Sequence, residues 1–63
     1  MRKKLYDLMS QRAAAIDAAE AAIDAGDETT YNERMTSVEN MDREIDKMQR
    51  VINERERHAQ MAP

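Results

Sequence analysis

The chain has 63 residues, with ten Lys or Arg against thirteen Asp or Glu, a formal net charge of −3 and no cysteine. This length holds one small domain at most, and neither a disulfide nor a Cys/His zinc site can staple it. The mild acidity argues against general nucleic-acid binding, which needs a basic stripe, and no apolar run is long enough for a membrane span.

The apolar fraction is 41%, but ten of those residues are alanine and six are methionine. Leu, Ile and Val total eight, and there is no Phe or Trp. Below roughly 70–80 residues, burial and chain entropy nearly cancel unless something else adds stability. A charged fraction of 37% with few large aliphatics is also a composition of disordered chains. Two features oppose that reading. The apolar residues are periodic, and Ala, Glu, Lys, Leu and Arg supply 29 of 63 residues, as in long-helix proteins. Association with other helices is the remaining source of stability.

Arg2, Lys3 and Lys4 make a short basic start. Asp7, Ser10, Gln11 and Arg12 interrupt the stretch after it, so no signal-peptide core forms and the expected location is the cytosol. The absence of cysteine fits that compartment.

The first expected helix covers residues 2–25. Leu5, Leu8, Met9, Arg12, Ala15, Ile16, Ala19, Ala22 and Ile23 recur at helical spacing. The alanine runs favour helix before any packing and let a partner helix approach closely. A turn is expected over 26–30. Gly26 suits a left-handed helix end, and Thr30 with Glu33 forms a capping-box pattern. The second helix is expected over 31–58, with residues 59–63 as a fraying tail. It carries a heptad stripe: Tyr31, Val38, Ile45, Ile52 and Ala59 at one position, Arg34, Met41, Met48 and Arg55 at the other. A 3–4 repeat of this length indicates lengthwise packing on another helix. Glu39–Arg43 and Asp46–Arg50 are expected as i, i+4 ion pairs on the outer face.

A short connection favours antiparallel neighbours. The expected fold is therefore all-α: an antiparallel two-helix hairpin, coiled-coil-like, assembling into a helical bundle. Folding about Asp27 sets Ile23 opposite Tyr31, Ala19 opposite Met35, Ile16 opposite Val38 and Met9 opposite Ile45. Leu5 falls near Met48 or Ile52, and Leu8 and Met41 complete the expected interface. The second helix should outrun the first by a turn or two, leaving Val51 and Ile52 near the root of the overhang.

Chemistry-bearing candidates are few. His58, the single histidine, sits beside Arg57 near a helix end and reads as solvated rather than as a general base. Ser10 and Ser37 have no activating constellation. Asp24, Asp27 and Glu28 lack the spacing of a calcium loop. No catalytic residue, cofactor or metal is expected. Met9, Met35, Met41 and Met48 read as core filling that an adaptable binding surface could share. Arg12 and Arg34, near the seam edges, suit snorkelling or reaching acids of a neighbouring hairpin.

Several segments together resemble a known family. They are Met1-Arg2-Lys3-Lys4-Leu5-Tyr6-Asp7-Leu8-Met9, then Gln11-Arg12-Ala13-Ala14, the short acidic turn, Thr30-x-x-Glu33, and Met41-Asp42-Arg43-Glu44-Ile45-Asp46-Lys47-Met48. They look like the N-terminal delta domain of HK97-like tailed-phage major capsid proteins, with the resemblance running from Met1 to about Arg57. It implies a scaffolding domain, fused to the capsid subunit, that promotes self-association during procapsid assembly. It also implies the procapsid interior within the host cytoplasm as location, capsid subunits as partners, and removal by a phage maturation protease in many members. Met41 and Met48 replace leucines of the family pattern, and Arg34 occupies an early seam position, which leaves the oligomeric state open. The competing expectation is a stand-alone coiled-coil adaptor or small regulatory protein with a heterologous partner. An enzyme is the remotest reading, because a two-helix hairpin encloses no pocket.

Overall fold

The computed structural model describes residues 2–61, and these form an antiparallel helical hairpin. Helix α1 runs Arg2–Asp24 and helix α2 runs Glu28–Met61. No strand occurs among the described residues. The molecule is a rod of 58 × 15 × 12 Å. The all-α hairpin is thus as the spacing predicts, while the element ends differ.

The turn is shorter than 26–30 and its chemistry is different. Gly26 takes a left-handed φ of 71°. Its N–H donates to the Ile23 carbonyl at 3.0 Å, and the Asp27 N–H donates to the Ala22 carbonyl at 2.8 Å. These two bonds are the Schellman pair that satisfies the last carbonyls of a helix. Nothing lies within 4 Å of where a Gly26 Cβ would sit. Gly26→Ala should therefore be resisted by backbone conformation alone, lowering stability by about 1–2 kcal/mol in a urea titration.

Asp27, rather than Thr30, caps α2. Its carboxylate accepts from the Thr30 N–H at 3.1 Å and from the Thr30 hydroxyl at 2.6 Å, while its carbonyl accepts the Tyr31 N–H at 3.1 Å. Asp27 directly follows the Schellman glycine, so capping there lets the second helix begin three residues earlier than expected. Thr30 becomes an N3 residue whose N–H the cap satisfies. Glu28 falls in the first turn, where a carboxylate suits the helix dipole.

The hydroxyl and N–H of Thr30 hold the Asp27 carboxyl below its usual pKa. A depressed folded-state pKa means the cap contributes fully above the ordinary carboxylate pKa of about 4 and is lost as pH falls through the folded value. Acid titration of helix content should show a loss in that window that Asp27→Asn removes, the amide being a good cap with no proton to gain.

At the far end α2 remains helical to Met61, three residues beyond the expected limit at 58; Ala62 and Pro63, the last part of the expected tail, lie outside the described residues. The Arg12–Asp42 register sets Arg2 level with Ile52, so α2 runs on past the start of α1 by about 13 Å, and Arg2 reaches along it to bond Glu56 at 2.8 Å. Val51 is exposed and Ile52 half-buried near that end. The surface ion pairs also differ from expectation. Lys47–Glu44 at 3.3 Å and Arg57–Glu54 at 3.6 Å form at i, i+3, whereas Glu39–Arg43 and Asp46–Arg50 are not among the ion pairs of the described residues. Such exposed pairs differ by only tenths of a kcal/mol, so spacing alone does not choose among them.

Candidate interaction surface

The seam between the helices is built from two unequal sides. On α2 it uses Val38, Ile45 and Met48, which are buried, with Tyr31, Met35, Met41 and Ile52 half-buried beside them. On α1 it uses Leu5, Ala15, Ala19 and Ala22, all buried, with Leu8 half-buried. Leu5, Ile45 and Met48 form a buried cluster, packed by Leu8 and Ile52. Large side chains thus cluster toward the open end, and toward the turn alanines of α1 receive the larger residues of α2. Small opposite large is how facing layers fill space without voids.

Arg12 enters this seam as its one charged α1 member. Its Nε donates to the Asp42 carboxylate at 2.6 Å, with both side chains roughly 40–46% exposed. The partner is within the same hairpin rather than in a neighbouring one. Solvent screening at that exposure keeps its worth in the range of about 0.2–1 kcal/mol. Arg12 opposite Asp42 lies on the same axial register as Ile23–Tyr31 and Ala19–Met35. Arg34 is exposed and borders a shallow groove with Ala14, Ala18, Ser37 and Met41.

Three residues of the expected interface are not buried in the hairpin. Met9 and Ile16 are each 37% exposed and Ile23 is 61% exposed. Met9 and Ile16, expected opposite Ile45 and Val38, are thus partly covered rather than buried. Ala15 and Ala19 are the buried residues of that stretch of α1, and Leu8 packs against the Ile45 cluster. Ile23 and Tyr31 do border one cleft, together with Gly26 at the turn. The physical reason is rotational. Leu5, Leu8, Arg12, Ala15, Ala19 and Ala22 make one 3–4 repeat on α1, and Tyr6, Met9, Ala13, Ile16, Glu20 and Ile23 make a second, displaced by one residue, or about 100° around the helix. Hydrophobic size favours the second repeat, but the bulky face of α2 selects the first. Ala15 and Ala22, part of the α1 stripe in the sequence, are the seam residues that the expected interface pairs leave out. Their 3–4 spacing from Leu5 and Leu8 is the signal that places them there.

Tyr6, Met9, Ile16 and Ile23 supply four of the six large hydrophobic side chains that stand exposed among the described residues; Val51 and Met61 are the others. His58 is exposed on α2 and borders a shallow depression with Arg50, Val51, Glu54 and Arg55. No trio of His, Cys, Asp or Glu is placed to hold a metal among the described residues. No described helix is long and apolar enough to cross a membrane. Comparison with protein families, curated proteins and solved structures gives no match.

Proposed function

We propose that this chain is a helix-association module that gathers copies of the polypeptide carrying it, acting as a scaffolding domain in the manner of a capsid delta domain. The observation that supports this most is the second 3–4 apolar stripe on α1, which the hairpin leaves only partly covered. A helix that places Ile16 and Ile23 on its outer face and alanine on its inner one is built for two contacts. Only one of them is within the hairpin.

The thin intramolecular seam adds to this. With three alanines among the four buried residues of α1, the hairpin gains little from its own core. Modest contacts repeated in many linked copies suit assembly, because effective concentration multiplies them while single errors still dissociate. In the capsid reading the partners are other capsid subunits, the setting is the procapsid interior, and a maturation protease removes the domain afterwards. The segments that resemble the delta domain support that finer reading.

Sedimentation equilibrium over a concentration series tests the core of the proposal. The apparent mass should rise above 7.3 kDa as concentration increases. A chain that stays monomeric up to millimolar concentration is not a self-association module. The capsid reading has its own test in the source gene: an open frame continuing past codon 63 into a strand-rich body supports it. A stop there favours the adaptor with a heterologous partner.

A further inference from the structure

We infer that the outward stripe of α1 is the docking surface for a second copy of this chain, with the two α1 helices packed antiparallel. The inference rests on the self-association reading above and specifies its surface, occupant and direction.

Area argues for a partner of protein size. A compact monomer of 7.3 kDa exposes about 4,200 Å². This hairpin exposes 5138 Å², an excess of roughly 950 Å² over that scaling. One side of a standard protein–protein interface hides about 800 Å². The surface left uncovered by the rod shape is thus the amount one further helical face would cover.

Pattern argues for a helix as the occupant. Tyr6, Met9, Ala13, Ile16 and Ile23 keep the 3–4 spacing of a helix-packing seam, with Glu20 the one polar member. In an antiparallel arrangement this repeat sets Ile16 opposite Ala13, Ile23 opposite Tyr6 and Met9 opposite Glu20 of the second copy. Large again meets small at the centre, and Glu20 lies toward the solvated ends.

Charge chooses the direction and identifies the partner as a second copy. Residues 2–12 carry Arg2, Lys3, Lys4 and Arg12 against Asp7 alone, a net +3. Residues 17–28 carry Asp17, Glu20, Asp24, Asp27 and Glu28 and no cation, a net −5. The 23 residues of α1 span about 34 Å, several times the screening length of about 8–10 Å. The two ends therefore act as separate charges. Parallel packing would set like on like, whereas antiparallel packing sets the basic end of each copy along the acidic end of the other.

Two variants and a cross-link test this on the full 63-residue chain. Ile16→Glu is exposed in the hairpin, so helix content by circular dichroism should stay as in the native chain. Its self-association should weaken by roughly a hundredfold or more, because a carboxylate would be buried twice at the centre of the contact. With no native cysteine, Tyr6→Cys and Ile23→Cys report alone. Mixed and oxidised, they should form the 6–23 disulfide well beyond its statistical share. Undiminished association of Ile16→Glu would overturn the stripe as the surface while leaving self-association standing. An excess of 6–6 and 23–23 cross-links would overturn the antiparallel direction. A native chain that is monomeric throughout, or that uses the stripe only for a different protein, would overturn the second copy as occupant.

Discussion

Ile45→Asp should abolish the hairpin. Ile45 is buried in one cluster with Leu5 and Met48. The substitution removes a branched aliphatic group and puts an unpaired carboxylate in its place. The nearest cation of the seam, Arg12, is already bonded to Asp42. Losing the apolar contacts of an isoleucine costs about 2–5 kcal/mol by analogy with truncation to alanine. Burying a charge without a partner adds to that unless the group takes up a proton. A single core of this size supplies about 3–5 kcal/mol at best, so the whole hairpin should be lost. Helix content measured by circular dichroism should collapse at neutral pH and recover in part below pH 5, as the carboxyl is neutralised. Ile45→Val, costing about 0.5–1.5 kcal/mol, should remain helical. Native-like melting of the aspartate variant would mean that the seam around Ile45 is not what holds the helices together.

Ala19→Leu should also be damaging, although it adds apolar surface and keeps a strong helix former. Ala19 is 3% exposed, the most buried of the core residues. Three extra carbons there have no space to enter, and the helices must separate over the half of the hairpin nearest the turn. Overpacking of this kind costs about 1–3 kcal/mol, a large part of what the hairpin has. The complementary change, Ile16→Ala, should leave the melting of the isolated hairpin within about 0.5 kcal/mol of native, as for an exposed substitution with a good helix former. The pair of measurements inverts the ordinary expectation that the larger aliphatic residue is the core residue. If Ile16→Ala destabilised the monomer and Ala19→Leu did not, the face assignment of α1 would be reversed.

Much of this molecule is legible in the sequence because helices advertise themselves locally. Alanine runs, the 3–4 repeat from Tyr31 onward and a single internal glycine are enough for two helices and a tight reversal, since each depends on neighbours within a few residues. The axial register is legible too, because a short turn leaves few ways to slide one helix along the other. The identity of the capping residue is not. Asp27 and Thr30 are both competent caps, and the choice between them depends on how soon after Gly26 the chain can turn back.

What only the tertiary structure decided is which face of α1 turns inward. Two adjacent stripes share one spacing, one headed by Leu5 and Leu8 and one by Met9 and Ile16, so periodicity cannot separate them. Size favours the wrong one. The decision belongs to the partner: α2 brings Val38, Met41, Ile45 and Met48 to the seam, and facing helices fill space when bulk meets alanine. The sequence by itself determined that this chain is a helical hairpin with a core too thin to leave it without helical partners. The packing of α2 on α1 determined that Ala15, Ala19 and Ala22 are buried while Met9, Ile16 and Ile23 are not, because complementarity of volume is a property of two surfaces together and is not written in either one.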